Sequence, residues 1–462
     1  MTDRIPTGAA QLDTVLGGGL PRHAICLVVG PPGSGKTIFA QQTVYANAHP
    51  ERPAVYLSTV SEPLEKMLRF GQELSFFDTD AVGTRVIYED LGGALNDHGL
   101  DGIVDRVRAL LRERRPGLVV IDSFKAIRPY AAGDAEFRRF LHRLTGLLSA
   151  FPVTSLWVGE YEPEEITTAP EFAVADAIIS FTSRRTAERS TRLLQVLKLR
   201  GGDFLSGGHG YRLSADGIAA YPRFADVDGS VPYTLPTGRR SSGIPALDDM
   251  LADGYWPGAS TLIAGPTGAG KTLMGLHFIF NGAAHGEPGL IATLQENPTQ
   301  LERIVQGFGW SLRDDNVTLM HRMPVDLYVD QWVHDLLDTA ESTGARRVLI
   351  DSLGDLRAAS TDDLSFREYV YSLLHRFSRR GVSLMMTFEV PELSGLTTLT
   401  EYGASHLADN VVVLQYAGFD EDVVSRTVTV LKTRASAHDQ HVRRFEITPN
   451  GIVLHDPPGR SA

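Results

Sequence analysis

The chain has 462 residues, which exceeds what one hydrophobic core usually supports, so two or three domains are expected. Its 43% hydrophobic and 22% charged residues are typical of a globular protein and exclude wholesale disorder. The formal net charge of −12 argues against a protein whose main partner is nucleic acid, and the single cysteine excludes an internal disulfide framework.

The cellular setting is predicted from the cysteine count and from the lack of targeting patterns. The N-terminus, MTDRIPTGAAQLD, has no apolar segment like that of a signal peptide. No run in the sequence reaches the roughly 18 apolar residues of a membrane span. A cytoplasmic protein without a membrane partner is therefore expected.

Short β-branched runs alternate with helical stretches through the first half of the chain. Strands are predicted at residues 25–29, 118–121 and 155–159, and helices at residues 38–46 and 137–148. This alternation predicts an α/β fold with a mostly parallel sheet that helices cover on both faces. The lone cysteine lies in the first strand run, which is typical of a packed core thiol.

The motif GPPGSGKT at residues 30–37 follows the first strand and begins the first helix. Its glycines let backbone N–H groups close around phosphates, at a helix end whose dipole favours anions. The lysine adds a positive charge, and the threonine supplies a magnesium ligand. The residues predicted to bind the nucleotide in the first half are Gly30, Gly33, Ser34, Gly35, Lys36 and Thr37, of which Thr37 is also a candidate metal ligand.

Two acidic residues of the first half follow predicted strands. Asp122 ends the apolar run VVID, which is where a magnesium nucleotide site takes its carboxylate; alone, such an aspartate is equally typical of a strand-end turn. Glu62, in YLSTVSEP at residues 56–63, is a candidate for the residue that orients or deprotonates the attacking water. A glutamate before proline also suits a solvated helix start, so both interpretations stay open.

Lys198 and Arg200, in the run LKLR, alternate along a predicted strand, so their side chains point the same way. On spacing alone, a solvated strand face explains them. Phosphoryl transfer also gains from a cation brought to the γ-phosphate, often by another subunit, so a catalytic role is the alternative.

The first half repeats in the second. GPTGAGKT begins at residue 265, 235 residues after its counterpart, and VLIDS and LKTR recur at offsets of 229 and 234 residues. The segment 222–236, with three prolines, is predicted to be a linker between a first domain at residues 1–221 and a second at 237–462. The nucleotide-binding residues predicted in the second domain are Gly265, Thr267, Gly268, Ala269, Gly270, Lys271 and Thr272.

The other chemical groups recur as well. Asp351 and Thr272 are the candidate metal ligands of the second domain, and Lys432 and Arg434 repeat the alternating cations. The segment YLSTVSEP at residues 56–63 is aligned with IATLQENP at residues 291–298 by setting Thr59 against Thr293. Glu62 then matches Glu296, which is the candidate base of the second domain.

Taken together, these motifs resemble the KaiC family of RecA-like P-loop ATPases, whose members have two tandem ATPase domains. The resemblance covers both halves, including LKLRGGDFLSGGHGYRLSADGI at residues 197–218. It implies ATP and Mg²⁺ as cofactors and a homo-hexameric double ring with ATP between adjacent subunits. The two Lys/Arg pairs would then reach a neighbour's phosphates, and a regulatory protein partner is expected because clock members have one.

The sequence departs from the clock members of this family at two places. Where they carry two adjacent glutamates, this chain has Ser61-Glu62 and Gln295-Glu296, so either Glu62 and Glu296 act as bases or hydrolysis differs.

The second departure concerns autophosphorylation, which clock members perform on an adjacent Ser-Thr pair in the second domain. Here Ser405 is followed by His406, which leaves Ser405 as the candidate phosphoacceptor, with Thr397, Thr398 and Thr400 nearby.

Two functions remain in view. One is a hexameric ATPase and serine autokinase that acts as a regulatory switch; the other is a RecA/RadA-like DNA-dependent ATPase of recombination or repair. The net charge of −12 and the lack of a segment rich in lysine and arginine favour the first. A transport or motor ATPase of the same fold would need a membrane or substrate domain, and none is visible in the sequence.

Overall fold

The computed structural model describes residues 3–59, 64–186, 189–223, 237–325, 327–360, 362–390, 408–420 and 423–455. The chain divides into two compact units, residues 1–223 and 224–462. Each unit is an α/β domain with one large sheet. Most of the linker predicted at residues 222–236 lies outside the described residues, so its boundaries stay a prediction.

The first domain contains eleven strands and six α-helices among its described residues. The strands are β1 Arg4–Ile5, β2 Leu20–Pro21, β3 Ile25–Val29, β4 Ala54–Ser58, β5 Val86–Asp90, β6 Leu118–Asp122, β7 Thr154–Gly159, β8 Ala177–Thr186, β9 Arg189–Leu199, β10 Gly208–Ser214 and β11 Gly217–Tyr221. The helices are α1 Ala10–Val15, α2 Lys36–Asn47, α3 Leu64–Gly71, α4 Gly92–Arg114, α5 Asp134–Ser149 and α6 Pro170–Val174, with 3₁₀ turns at Thr79–Ala81, Lys125–Tyr130 and Pro163–Thr167.

The large sheet of the first domain has the strand order β11-β10-β9-β8-β3-β7-β6-β4-β5. Strands β8, β3, β7, β6, β4 and β5 run parallel, and β9, β10 and β11 extend the sheet with antiparallel pairings. Strand β3 is central, and its successor β4 lies beyond β7 and β6. The chain therefore leaves β3 at the kind of strand-order break where α/β sheets bind ligands.

The second domain repeats this plan. Its strands are β12 Ser260–Gly265, β13 Gly289–Thr293, β14 Val317–His321, β15 Arg347–Asp351, β16 Ser383–Glu389, β17 Asn410–Asp420, β18 Val423–Thr433, β19 Arg443–Thr448 and β20 Gly451–Leu454. Its helices are α7 Pro245–Met250, α8 Lys271–Ala284, α9 Pro298–Gly307, α10 Val329–Ser342, α11 Leu353–Ala359 and α12 Asp363–Arg379. The sheet order β14-β13-β15-β16-β12-β17-β18-β19-β20 matches that of the first domain, which confirms the predicted fold of two tandem, mostly parallel RecA-like domains.

Each sheet buries apolar side chains on both faces. In the first domain one core packs α2 against the sheet and the other packs α4 and α5 against the opposite face. The central strands are therefore buried along their whole length, as in β3, where Cys26 is fully enclosed. Burial raises the pKa of the Cys26 thiol, in keeping with its predicted role in the core. Among the described helices, none is long and apolar enough to cross a membrane.

A buried ion cluster ties the second domain together. Arg347, at the start of β15, is 3% exposed, and its Nε donates to Glu287 Oε2 at 2.6 Å. Arg240 donates to the other oxygen of Glu287 at 3.1 Å and to the backbone oxygens of residues 346 and 381. Burial alone would raise the pKa of Glu287, but the two guanidinium groups outweigh it and lower the pKa. The equivalent of Arg347 in the first domain is Leu118, so an apolar side chain takes the place of the buried guanidinium there.

We expect Glu287→Gln to destabilise the second domain by about 2 to 3 kcal/mol, because it removes the carboxylate that both buried guanidinium groups bind. Hydrogen–deuterium exchange of the full chain should show faster exchange in β12 and β15, with β3 and β6 unchanged. The matched control is Glu341→Gln, which removes an exposed ion pair with Arg380 and should cost under about 0.5 kcal/mol. Equal exchange in β15 for both variants would contradict a structural role for the cluster.

Candidate active sites

The P-loop of each domain leaves the carboxyl end of its central strand. In the first domain β3 lies between β7 and β8, and α2 begins at Lys36. Gly30 has a φ of 151°, and a Cβ there would lie 2.3 Å from the backbone oxygen of Phe181 on β8. Gly265 is confined in the same way, since its Cβ would lie 2.6 Å from the backbone oxygen of Leu414. The glycine that begins each motif is therefore required by contact with the neighbouring strand.

A tyrosine from another strand of the sheet braces each P-loop. Tyr211, on β10, donates its hydroxyl to the backbone oxygen of Ser34 at 2.6 Å. In the second domain Tyr416, on β17, donates to the backbone oxygen of Thr267 at 2.9 Å. Each P-loop is thus held by a tyrosine that lies outside the P-loop motif and that the motif does not predict.

Both P-loop lysines fold back over their own loops. Lys36 Nζ donates to the Pro31 oxygen at 2.8 Å, and Lys271 Nζ donates to the oxygens of Gly265 and Pro266 at 2.9 Å. Burial lowers the pKa of each lysine, and nearby carboxylates partly oppose that shift. These contacts place each ammonium at the mouth of the loop, where bound phosphates would meet it.

The predicted metal ligands of the first domain lie together. Thr37 Oγ1 donates to Asp122 Oδ2 at 2.9 Å, which joins the first turn of α2 to the end of β6. The same oxygen of Asp122 accepts a hydrogen bond of 2.6 Å from the hydroxyl of Tyr56 on β4. A hydroxyl and a carboxylate are the hard oxygen ligands that Mg²⁺ prefers, so the pair fits that ion.

The second domain brings its pair together in the same way. Thr272 Oγ1 donates to Asp351 Oδ2 at 2.8 Å, and Thr387 on β16 donates to the other carboxylate oxygen. Burial raises the pKa of Asp351, and the bonds from Thr387 and Thr272 act against that rise. Among the described residues no group of three His, Cys, Asp or Glu side chains could hold a metal, so each domain offers two oxygen ligands rather than a full cage.

The backbone corrects one alignment between the two domains. Thr59 N–H donates to the Asp122 oxygen at 2.9 Å, and the N–H that makes the equivalent bond to Asp351, at 2.7 Å, belongs to Leu294. Thr59 is therefore equivalent to Leu294, and the pairing of Thr59 with Thr293 was wrong by one residue. The shared threonine letter suggested that pairing, but the hydrogen bonds between strand ends determine the true one.

The corrected alignment separates the two candidate bases. Glu296 becomes equivalent to Ser61, and Glu62 becomes equivalent to Asn297. Glu296 is half-buried, three residues beyond β13, and its N–H donates to Thr293 Oγ1 at 3.1 Å. Glu62 lies outside the described residues. Counted along the sequence from the ends of β4 and β13, the glutamate therefore comes at a different position in the two domains.

The cation pair of the first domain lies away from its own P-loop. Lys198 pairs with Ile178 on β8, and its Nζ donates to the Ala173 oxygen at 3.4 Å. Arg200 forms an ion pair of 3.2 Å with Asp176, which comes just before β8. These contacts are at the amino ends of the parallel strands, whereas the P-loop follows their carboxyl ends.

The second domain places its cations at the same edge. Lys432 Nζ donates to the Ala408 oxygen at 2.6 Å, and Arg434 forms an ion pair of 3.4 Å with Asp409. Neither pair reaches the P-loop of its own domain, so within one domain the predicted phosphate cations and the predicted phosphate loop remain apart.

A comparison with known protein families gives the family of the chain. The family model described as "ATPase: KaiC" matches residues 5–224 and, a second time, residues 240–459. The chain belongs to the KaiC ATPase family. The double match confirms the resemblance inferred from the motifs and follows the repeat seen in the fold.

Three relatives are similar along nearly the whole chain. The "Circadian clock protein KaiC3" of Synechocystis sp. is 27% identical over 98% of this chain and 92% of that protein. The "Circadian clock oscillator protein KaiC" of Picosynechococcus sp. is 27% identical over 98% of this chain and 90% of its own length. The protein of the same name from Thermosynechococcus vestitus is 28% identical, with coverages of 98% and 89%.

One further carboxylate beside each P-loop was missed by the sequence analysis. In the first domain, a cleft of about 770 Å³ lies over the P-loop, and Glu160, directly after β7, lines it. Glu389, at the end of β16, is the counterpart in the second domain. The signal that could have found them is their offset of 229 residues, which equals that of the aspartates. Other residues that line the cleft are Gly33, Lys36, Thr37, Met67, Asp122, Lys125 and Leu213.

The candidate phosphoacceptor Ser405 lies outside the described residues, as do Thr397, Thr398 and Thr400. Their role stays a prediction.

Proposed function

We propose that this chain is a cytoplasmic ATPase that works as a KaiC-type regulatory protein, with one ATP bound by each domain. The observation that carries the proposal is the assembly, in both domains, of the P-loop lysine, the P-loop threonine and a strand-end aspartate at one sheet edge. The relatives that match the chain over nearly its whole length are named as clock proteins, which favours this function over a DNA-dependent ATPase.

Magnesium fits the same assembly. Thr37 with Asp122, and Thr272 with Asp351, would hold the ion, which would offset the charge of the bound phosphates. The two protein oxygens of each domain leave coordination positions for phosphate oxygens and water, as is usual for Mg²⁺ in phosphoryl-transfer sites.

Glu296 is the proposed base of the second site. It follows a strand whose last residue, Thr293, lies opposite Asp351, so its loop borders the metal ligands. A carboxylate there would orient the attacking water and accept its proton. For the first site we propose Glu62, one position further along the equivalent loop.

We expect Lys36→Ala and Lys271→Ala each to remove one site's share of ATP turnover, and the double variant to lose about 100-fold or more, because the loop then lacks its phosphate cation. Phosphate release by the full chain with MgATP measures this. Within the Lys36→Ala background, Glu296→Gln should lower the remaining turnover by about 100-fold.

The control is Arg108→Ala, on the exposed side of α4, which should leave turnover unchanged. Undiminished phosphate release by the double lysine variant would refute nucleotide hydrolysis at these sites. Unchanged release by Glu296→Gln would refute only the assignment of the base.

We also propose a homo-hexameric double ring in which the cation pairs complete a neighbour's site. The support is their position at the sheet edge opposite the P-loop, where a domain cannot use them on its own nucleotide. Head-to-tail contacts of this kind close into rings, and the family's clock members imply six subunits.

The ring predicts that two inactive variants restore each other when mixed. In the Lys36→Ala background, Lys271→Ala removes the loop cation and Arg434→Ala removes the cation offered to a neighbour. Random mixing should restore about a quarter of the second-domain turnover, since one interface in four combines an intact loop with an intact arginine. Native mass spectrometry with MgATP should show six copies. A persistent monomer, or no recovery on mixing, would contradict the shared site.

For the second domain we further propose serine autophosphorylation. The Ser405 oxygen would attack the γ-phosphorus, the bond to the bridging oxygen would break with release of ADP, and Glu296 would take the hydroxyl proton. A regulatory protein partner would recognise the negative charge of the phosphoserine.

Incubation with γ-labelled ATP should label the peptide that contains Ser405, and Ser405→Ala should remove that label while ATP hydrolysis continues. Label on Thr397, Thr398 or Thr400 would move the acceptor within the same segment. Protein without any label would refute the kinase activity and leave the ATPase proposal intact.

A further inference from the structure

The glutamate beside each P-loop is held differently in the two domains. Glu160 lies with an oxygen 3.8 Å from Lys36 Nζ, so it is an ion-pair partner of the loop lysine. Glu389 instead accepts a hydrogen bond of 2.5 Å from Thr267 Oγ1, a residue of the P-loop itself. Lys271 bonds to two backbone oxygens and forms no ion pair within 4 Å with any described residue, although the charge of Glu389 still acts to raise its pKa against the larger effect of burial. The same carboxylate thus contacts the lysine in one domain and the loop in the other.

One substitution between the two motifs explains this difference. GPPGSGKT has Pro32 where GPTGAGKT has Thr267. Proline has neither a hydroxyl nor an N–H to donate, so the first loop cannot hold its glutamate there. Thr267 is itself fixed, because its backbone oxygen accepts the hydroxyl of Tyr416. The Thr267 hydroxyl therefore donates to Glu389 from a backbone that Tyr416 holds in place.

The position of the glutamate matters because of what the lysine must do. The ammonium is the group that meets the β- and γ-phosphates of a bound nucleotide. A carboxylate within 4 Å is both an alternative partner for the lysine and a like charge for the incoming phosphate. Lys36 is 7% exposed in its side chain, so water screens this competition weakly, although Glu160 is 58% exposed and can turn toward solvent.

We propose that Thr267 makes the second site the tighter one for a nucleoside triphosphate, by holding Glu389 off Lys271, whereas Glu160 competes with the γ-phosphate for Lys36 in the first site. This inference rests on the proposed binding of MgATP by both P-loops. Glu160, Glu389 and Thr267 are positioning residues in it, since they act through the lysine.

The test separates the two sites within the full chain. Lys36→Ala leaves the second site to be measured, and Lys271→Ala leaves the first. Each background is titrated calorimetrically with MgADP and with the magnesium complex of a non-hydrolysable imido analogue of ATP. The ratio of the two dissociation constants isolates the contribution of the γ-phosphate, which a general loss of folding would not change selectively.

We expect the dissociation constant of MgADP, divided by that of the triphosphate analogue, to be about tenfold larger at the second site than at the first. Thr267→Val should remove that advantage, Thr267→Ser should keep it, and Glu389→Gln added to Thr267→Val should restore it. In the Lys271→Ala background, Glu160→Gln should raise the ratio by about the same factor.

Equal ratios at the two sites, or a Thr267→Val variant that keeps the advantage, would overturn the inference while leaving nucleotide binding established. No binding in either background would refute the proposed function first. A drop in affinity for both nucleotides equally would assign Thr267 to the general shape of the loop and also overturn the inference.

Discussion

The hydrogen bond between a P-loop threonine and a strand-end aspartate is the contact on which each site depends. In the first domain it joins the first turn of α2 to the end of β6. Strand β6 is not adjacent to β3, the strand that precedes the P-loop, because β7 lies between them. The bond forms only if three parallel strands end at the same level and the loop returns over them. Sheet order, strand length and loop shape are therefore all constrained by one pair of oxygens, and both domains satisfy the constraint at distances of 2.9 and 2.8 Å.

The two domains meet this constraint with different supporting residues. Asp122 is held by a tyrosine on β4, whereas Asp351 is held by Thr387 on β16, the strand on the other side. At the opposite end of the same strands, an apolar Leu118 corresponds to the charged Arg347 and its partners. The repeat therefore preserves the groups that would touch a nucleotide and their geometry, while the groups that hold them in place have diverged.

Much of the fold could be predicted from the sequence, because the strands and helices that carry the motifs are strongly periodic. The strand predicted at residues 25–29 has those bounds, and the helix predicted at 137–148 is the central part of α5. A strand was predicted at LKLR, which overlaps the end of β9, but the antiparallel extension of the sheet by β9, β10 and β11 was not, since strands with mixed faces have no such pattern.

The site was predicted less evenly. Lysine, threonine and aspartate come with fixed spacing, so their meeting could be foreseen. Glu160 and Glu389 have no motif around them, and their place depends on which strands are neighbours. The pairing of Thr59 with Thr293 failed for a related reason: a match of one letter cannot determine which backbone N–H reaches the aspartate, and one residue of slip exchanges the glutamates being compared.

The separation of the cations from the P-loops gives the proposed ring a physical basis. A cation beside the γ-phosphate stabilises the charge that develops there, but one held permanently in the same domain would also compete for nearby carboxylates such as Glu160. In the proposed ring, the cation at the far edge of the sheet, paired with Asp176 in its own domain, would reach a phosphate only in a neighbouring subunit. Hydrolysis would then report assembly. In that ring, the rate of hydrolysis would depend on an active site that no single domain completes.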